Sequence, residues 1–114
     1  IMGLDYSFLS VKMQHGELYI SQVICKDADK HGLELEGESI KIKNNTVYLQ
    51  VKVRKGGVCD FFYSENGEKF KSIGSTFVAK EGKWIGSKIG FLSLRNGITN
   101  DAGSVDIDWF RINK

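Results

Sequence analysis

Residues 47–54 place Val47, Leu49, Val51 and Val53 in alternation with Tyr48, Gln50, Lys52 and Arg54. A strict period of two puts every second side chain on one face of a pleated strand and does not fit the 3.6-residue period of a helix. Similar alternation recurs along the chain. It predicts strands near Tyr6–Lys12, Glu17–Cys25, Leu33–Lys43, Thr46–Arg54, Val58–Ser64, Lys69–Ile73, Lys88–Arg95 and Gly103–Asn113, with almost no helix.

Turn residues separate these runs at short intervals, as in all-β sandwiches. Asn44-Asn45 and Gly56-Gly57 sit where hairpin turns need positive φ, so the three strands they separate are expected to be consecutive and antiparallel. Ser64-Glu65-Asn66-Gly67 predicts a further tip, with Phe70 folding back beside Tyr63. The chain has no proline, repeat or linker, so residues 1–114 read as one domain. Hydrophobic residues make up 41% and charged residues 26%, the balance of a folded globular chain. The net charge of +2 arises from 16 basic and 14 acidic residues that are scattered, which excludes the basic stripe of a nucleic-acid binder. No apolar run approaches the ~20 residues of a membrane-spanning helix.

Candidate chemistry is sparse. His15 and His31 adjoin Gly16 and Gly32 in turns, with no nucleophile motif nearby, and read as exposed loop histidines. Cys25 and Cys59 lack zinc-ligand or redox spacing and read as small buried hydrophobes. A disulfide between them would need Cα atoms within about 7 Å. Alternation places Cys59, Phe61 and Tyr63 inward and Phe62 outward with Asp60 and Ser64. In the last predicted strand it places Val105, Ile107 and Trp109 inward and Asp106, Asp108 and Phe110 outward. Asp106 and Asp108 would then stand roughly 6.5 to 7 Å apart on one face. That separation falls within the range of glycosidase carboxylates, although a solvated polar face accounts for it as well. Sugar stacking needs flat aromatic platforms, and Trp84, between Lys83 and Gly86 in a glycine-rich stretch, is the best candidate. Asn44-Asn45-Thr46 forms a glycosylation sequon that the expected turn already explains.

The run from Cys59 to Leu92, with Ser64-Glu65-Asn66-Gly67, Phe70, Ile73-Gly74 and Glu81-Gly82-Lys83-Trp84-Ile85-Gly86, is followed by the ending Val105-Asp106-Ile107-Asp108-Trp109-Phe110-Arg111. Together they resemble the C-terminal β-sandwich that accompanies the catalytic β-propeller of many glycoside hydrolase family 43 enzymes. Lys26-Asp27-Ala28-Asp29-Lys30 after an apolar strand also matches that sandwich. The resemblance implies an all-β, antiparallel two-sheet sandwich of the concanavalin-like jelly-roll type. This chain would correspond to the C-terminal part of it, leaving a sheet edge to be filled by an N-terminal segment or by a second chain.

The implied role is that of a non-catalytic accessory module packing on the propeller of an enzyme that attacks xylan, arabinan or arabinoxylan. No catalytic residue carries over. The parent would be secreted or periplasmic. The alternative is an independent carbohydrate-binding module for plant cell-wall polysaccharide, and Trp84, Phe62 and Phe110 are the expected carbohydrate or interdomain contacts. The ending also resembles the last strand of family 6 carbohydrate-binding modules, where an aspartate helps hold a structural calcium ion. Asp106, Asp108 and Asp101 are the corresponding calcium candidates here, with Asn100 as a further oxygen donor.

Overall fold

The structure, a computed structural model, describes residues 1–81, 89–91 and 106–113. Its strands are β1 (Tyr6–Gln14), β2 (Glu17–Cys25), β3 (Glu34–Glu36), β4 (Ile40–Ile42), β5 (Tyr48–Arg54), β6 (Val58–Ser64), β7 (Lys71–Ser72) and β8 (Phe77–Val78). A single 3-10 turn, Ala28–Lys30, follows β2, and no helix among the described residues is long and apolar enough to cross a membrane. Every strand pairing among the described residues is antiparallel. The first sheet runs β1-β2 with β3 and β4 sharing the third place, and the second runs β5-β6 with β7 and β8 sharing the third place.

Each sheet is therefore a hairpin followed by a broken third strand. The β1–β2 hairpin closes on His15 and Gly16, with φ of 53° and 76°, the two positive values that a twist-compatible two-residue turn demands. In the first sheet, Gly37, Glu38 and Ser39 face only Ser21 and Gln22 between paired positions, so one extra residue bulges out. In the second, residues 73–76 face only Asp60 and Phe61.

Several sequence expectations change here. The strand expected over Leu33–Lys43 is split by the Gly37 bulge, and only Lys71–Ser72 of the Lys69–Ile73 run is paired. Asn44-Asn45 does not close a hairpin, because β4 pairs with β2 whereas β5 pairs with β6; the segment instead carries the chain from one sheet to the other. The residue opposite Tyr63 is Lys71 rather than Phe70. The described parts of the two last predicted strands, residues 89–91 and 106–113, are in no sheet. Trp109, expected inward, is 57% exposed and rests its ring 6.2 Å from that of Tyr48. Alternation assigns a face only where a sheet exists to define one.

The two sheets pack through Ile20 and Ile42 on one side and Cys59, Phe61, Tyr63, Ile73 and Phe77 on the other, flanked by Leu9, Leu18, Ile24, Ile40 and Val47. Each fully buried large side chain is worth about 1.5–3 kcal/mol. Among the described residues a polar side chain crosses this core. Buried Gln22 accepts from the Ser75 backbone N–H at 2.6 Å and donates to the Ser75 carbonyl at 2.8 Å, while also reaching the Ser7 hydroxyl at 3.3 Å. Its amide thus pairs with backbone that the break between β7 and β8 releases. Gly74 makes room for it: its φ is 71°, and a Cβ there would overlap the Gln22 carboxamide. Cys25 and Cys59 are both free and buried, one on the first sheet and one on the second.

Candidate functional site

Facing positions of the first sheet sort its side chains into two sets. Leu18, Ile20, Gln22 and Ile24 point into the sandwich with Leu9, Leu35, Ile40 and Ile42 opposite them. Tyr19, Ser21, Val23 and Cys25 point outward, beside Tyr6, Phe8, Ser10 and Lys12 of β1 and Glu34 and Glu36 of β3. The outward set is laced together. The Tyr6 hydroxyl donates to Glu34 at 2.6 Å, Lys12 pairs with Glu36 at 2.7 Å, and the Ser21 hydroxyl donates to the other oxygen of Glu36 at 2.6 Å. Farther along, the Tyr19 hydroxyl donates to Glu17 at 2.9 Å, and Lys41 holds its second oxygen at 2.7 Å. These partners keep Glu17 and Glu36 below the usual carboxylate range, the Lys41 bond acting most on the first and the Lys12 bond on the second. The Tyr6 ring stacks on Phe8 with centroids 6.1 Å apart and planes 19° apart. Because β1 and β3 side chains lean over β2, Ser21, Val23 and Cys25 are buried on a face that is formally the outside.

A second feature lies where the sheets part beside β3. A cleft of about 470 Å³ is lined by Ile24, Leu33 and Leu35, with Gln22, Gly74 and Ser75 at its floor and Lys26 at its rim. Leu33 and Leu35 are 81% and 71% exposed. The adjacent Lys26–Lys30 loop is fixed to the segment before β1. Asp27 N–H donates to the buried Asp5 carboxylate at 2.9 Å, Ala28 N–H donates to the Leu4 carbonyl at 3.0 Å, and Lys80 pairs with Asp5 at 3.1 Å. The backbone bond from Asp27, foremost, holds Asp5 below its ordinary range. Asp27 and His31 adopt left-handed φ of 52° and 62°, and a Cβ on Gly32 would strike the Lys26 carbonyl.

The residues singled out from sequence fall elsewhere. Phe62 is half-buried on the outside of the second sheet, under Lys52, whose ammonium lies 4.9 Å from the ring centroid. Beside it Arg54 and Thr76 both bond Asp60, at 2.8 and 2.7 Å. Phe110 is exposed and meets Phe91 edge-on at 5.2 Å. No ring contact joins Phe62 to Phe110 among the described residues. Asp106 and Asp108 are exposed, and no group of three metal-ligating side chains forms among the described residues. Trp84 and Asp101 lie outside the described residues. His15 and His31 are exposed in turns.

Sequence reasoning missed both the outer lattice of the first sheet and the Leu33/Leu35 cleft. The lattice depends on β3 pairing with β2, a non-local fact. The signal that could have found it is the alternation of Glu34 and Glu36 with Leu33 and Leu35.

Comparison with known proteins gives a consistent picture. Residues 1–113 match the family described as the beta xylosidase C-terminal concanavalin A-like domain. A beta-xylosidase from Formosa agariphila is 33% identical over an alignment 119 positions long that takes in 96% of this chain. The chain covers 19% of that relative's length. No solved structure matches. Two facing antiparallel sheets, a shared core and a match along nearly the whole chain lead to one assignment: this chain belongs to the C-terminal concanavalin A-like domain family of glycoside hydrolase family 43 beta-xylosidases.

Proposed function

We propose that this chain is a non-catalytic accessory module that docks on the catalytic β-propeller of a longer, exported glycoside hydrolase acting on xylan, arabinan or arabinoxylan. The observation that carries the reading is the pair Leu33 and Leu35, which stand open to solvent at the rim of an apolar cleft in a domain whose relative is about five times as long. Exposed apolar side chains grouped at one place mark a surface that meets another protein surface. Interfaces within a chain resemble those between chains, with an apolar centre and a polar rim, and Lys26 supplies part of such a rim here.

The test is made in the full-length parent. Leu33→Lys with Leu35→Lys is expected to release the accessory domain, so that limited proteolysis separates it from the propeller and the two parts unfold in separate calorimetric transitions. A double variant that resists protease and unfolds as the unaltered protein does would overturn docking through this cleft.

A further inference from the structure

The exposed aliphatic side chains of the first sheet, Val11, Met13, Leu33 and Leu35, lie at inward-facing or edge positions, and its outer face carries none of them. That face instead presents half-exposed rings and fixed polar groups, a different chemistry from the docking cleft. We infer that the outer face of β1, β2 and β3 is a binding platform for a neutral polysaccharide chain, with Phe8 and Tyr19 stacking on sugar rings and Glu17, Glu34 and Glu36 accepting from sugar hydroxyls.

Three observations carry this assignment. The rings lie along the strands: Phe8 is opposite Val23, and Tyr19 is four residues farther along β2, about 13 Å by the strand rise, so one extended oligosaccharide can meet both. The hydrogen-bonding groups are held in place before a ligand arrives. Glu36 is fixed by Lys12 and Ser21, and Glu17 by Tyr19 and Lys41. A carboxylate offers about four acceptor positions, so each retains capacity for a hydroxyl donor while its geometry is set by the protein. The charge is almost balanced, with three carboxylates facing two ammonium groups that pair with two of them, which favours a neutral polyhydroxyl partner over an acidic or basic polymer.

The choice of sugar rests on the proposed hemicellulase context, whereas the platform itself does not. Docking is read in the full-length protein and sugar binding in this chain, so either can fail alone.

The experiment is calorimetric titration of the chain, shown to be folded by circular dichroism, with xylohexaose, arabinohexaose and polygalacturonate. Saturable binding of a neutral hexaose is expected, weakened at least tenfold by Tyr19→Ala and by Phe8→Ala and unchanged by Val78→Ala at an exposed position of the other sheet. Because Phe8 packs beside Tyr6, the more peripheral Tyr19→Ala decides the matter if Phe8→Ala does not fold. Binding that survives Tyr19→Ala, a preference for polygalacturonate, or no saturable heat with either neutral hexaose would each overturn the assignment.

Discussion

At the scale of single residues, Gly74 and Gln22 form a unit in which neither makes sense alone. The break between β7 and β8 leaves backbone groups without ladder partners, and an unsatisfied buried donor or acceptor costs about 1–3 kcal/mol. Gln22 reaches across the core to supply both halves of the missing pairing, and Gly74 adopts φ of 71° to let it pass. Gly74→Ala is therefore expected to destabilise the chain by about 2 kcal/mol or more, since a left-handed non-glycine residue already costs about 1–3 kcal/mol and the new methyl displaces the amide. Urea unfolding measures this, and a loss below about 0.5 kcal/mol would contradict the interlock. Neither partner was legible beforehand: Gln22 occupies an inward position where alternation anticipates an apolar residue, and nothing local in Gly74 names a partner 52 positions upstream.

At the scale of elements, the long strands were readable and the short ones were not. β1, β2, β5 and β6 carry seven or nine residues of alternation each, and the predicted and observed spans agree closely. The Cys59, Phe61 and Tyr63 face was likewise correct, because each of the three is buried. The third strand of each sheet is cut by a bulge, and bulges answer to contacts across the sandwich that the strand's own sequence does not contain. Asn44-Asn45 was misread for a related reason, since a turn-forming pair suits a chain changing sheets as well as a chain reversing within one.

β5 raises a separate matter. Among the described residues it pairs only with β6, and Leu49, Val51 and Val53 on its inward face are exposed. A strand whose inward apolar side chains stand exposed recruits other strands. The isolated chain is expected to self-associate at high micromolar concentration, and Val53→Lys to reduce that association while shifting stability by no more than about 0.5 kcal/mol, the usual range for an exposed site. Sedimentation velocity distinguishes this from association through another surface, which Val53→Lys would leave unaltered.

At the scale of the whole molecule, the paired carboxylates set a pH window. Asp5, Glu17, Glu36 and Asp60 all have lowered pKa values, chiefly from hydrogen bonds donated by Asp27, Lys41, Lys12 and Arg54 respectively. A depressed carboxylate contributes stability that is present above its unfolded pKa, about 4, and is lost as pH falls through the folded value. Lys41, Tyr6 and Tyr19 are raised, each foremost by its carboxylate partner, so their contribution is present below about pH 10 and is lost as pH rises through their folded values. The thermal midpoint is expected to be flat between about pH 5 and 9 and to fall on both sides. Asp5→Asn should shallow the acid limb most, because Asp5 is the buried member of the set. Equal midpoints at pH 3 and pH 7 would show that these bonds do not favour the folded state.

The two thiols have a use that their inertness conceals. Each lies beneath the surface of a different sheet, and burial raises the Cys59 thiol above its ordinary range. An alkylating reagent can reach either sulfur only while the sheet that covers it is open. Peptide mapping of the order in which Cys25 and Cys59 become labelled would therefore record which half of the sandwich breathes first, with no probe introduced and no residue changed.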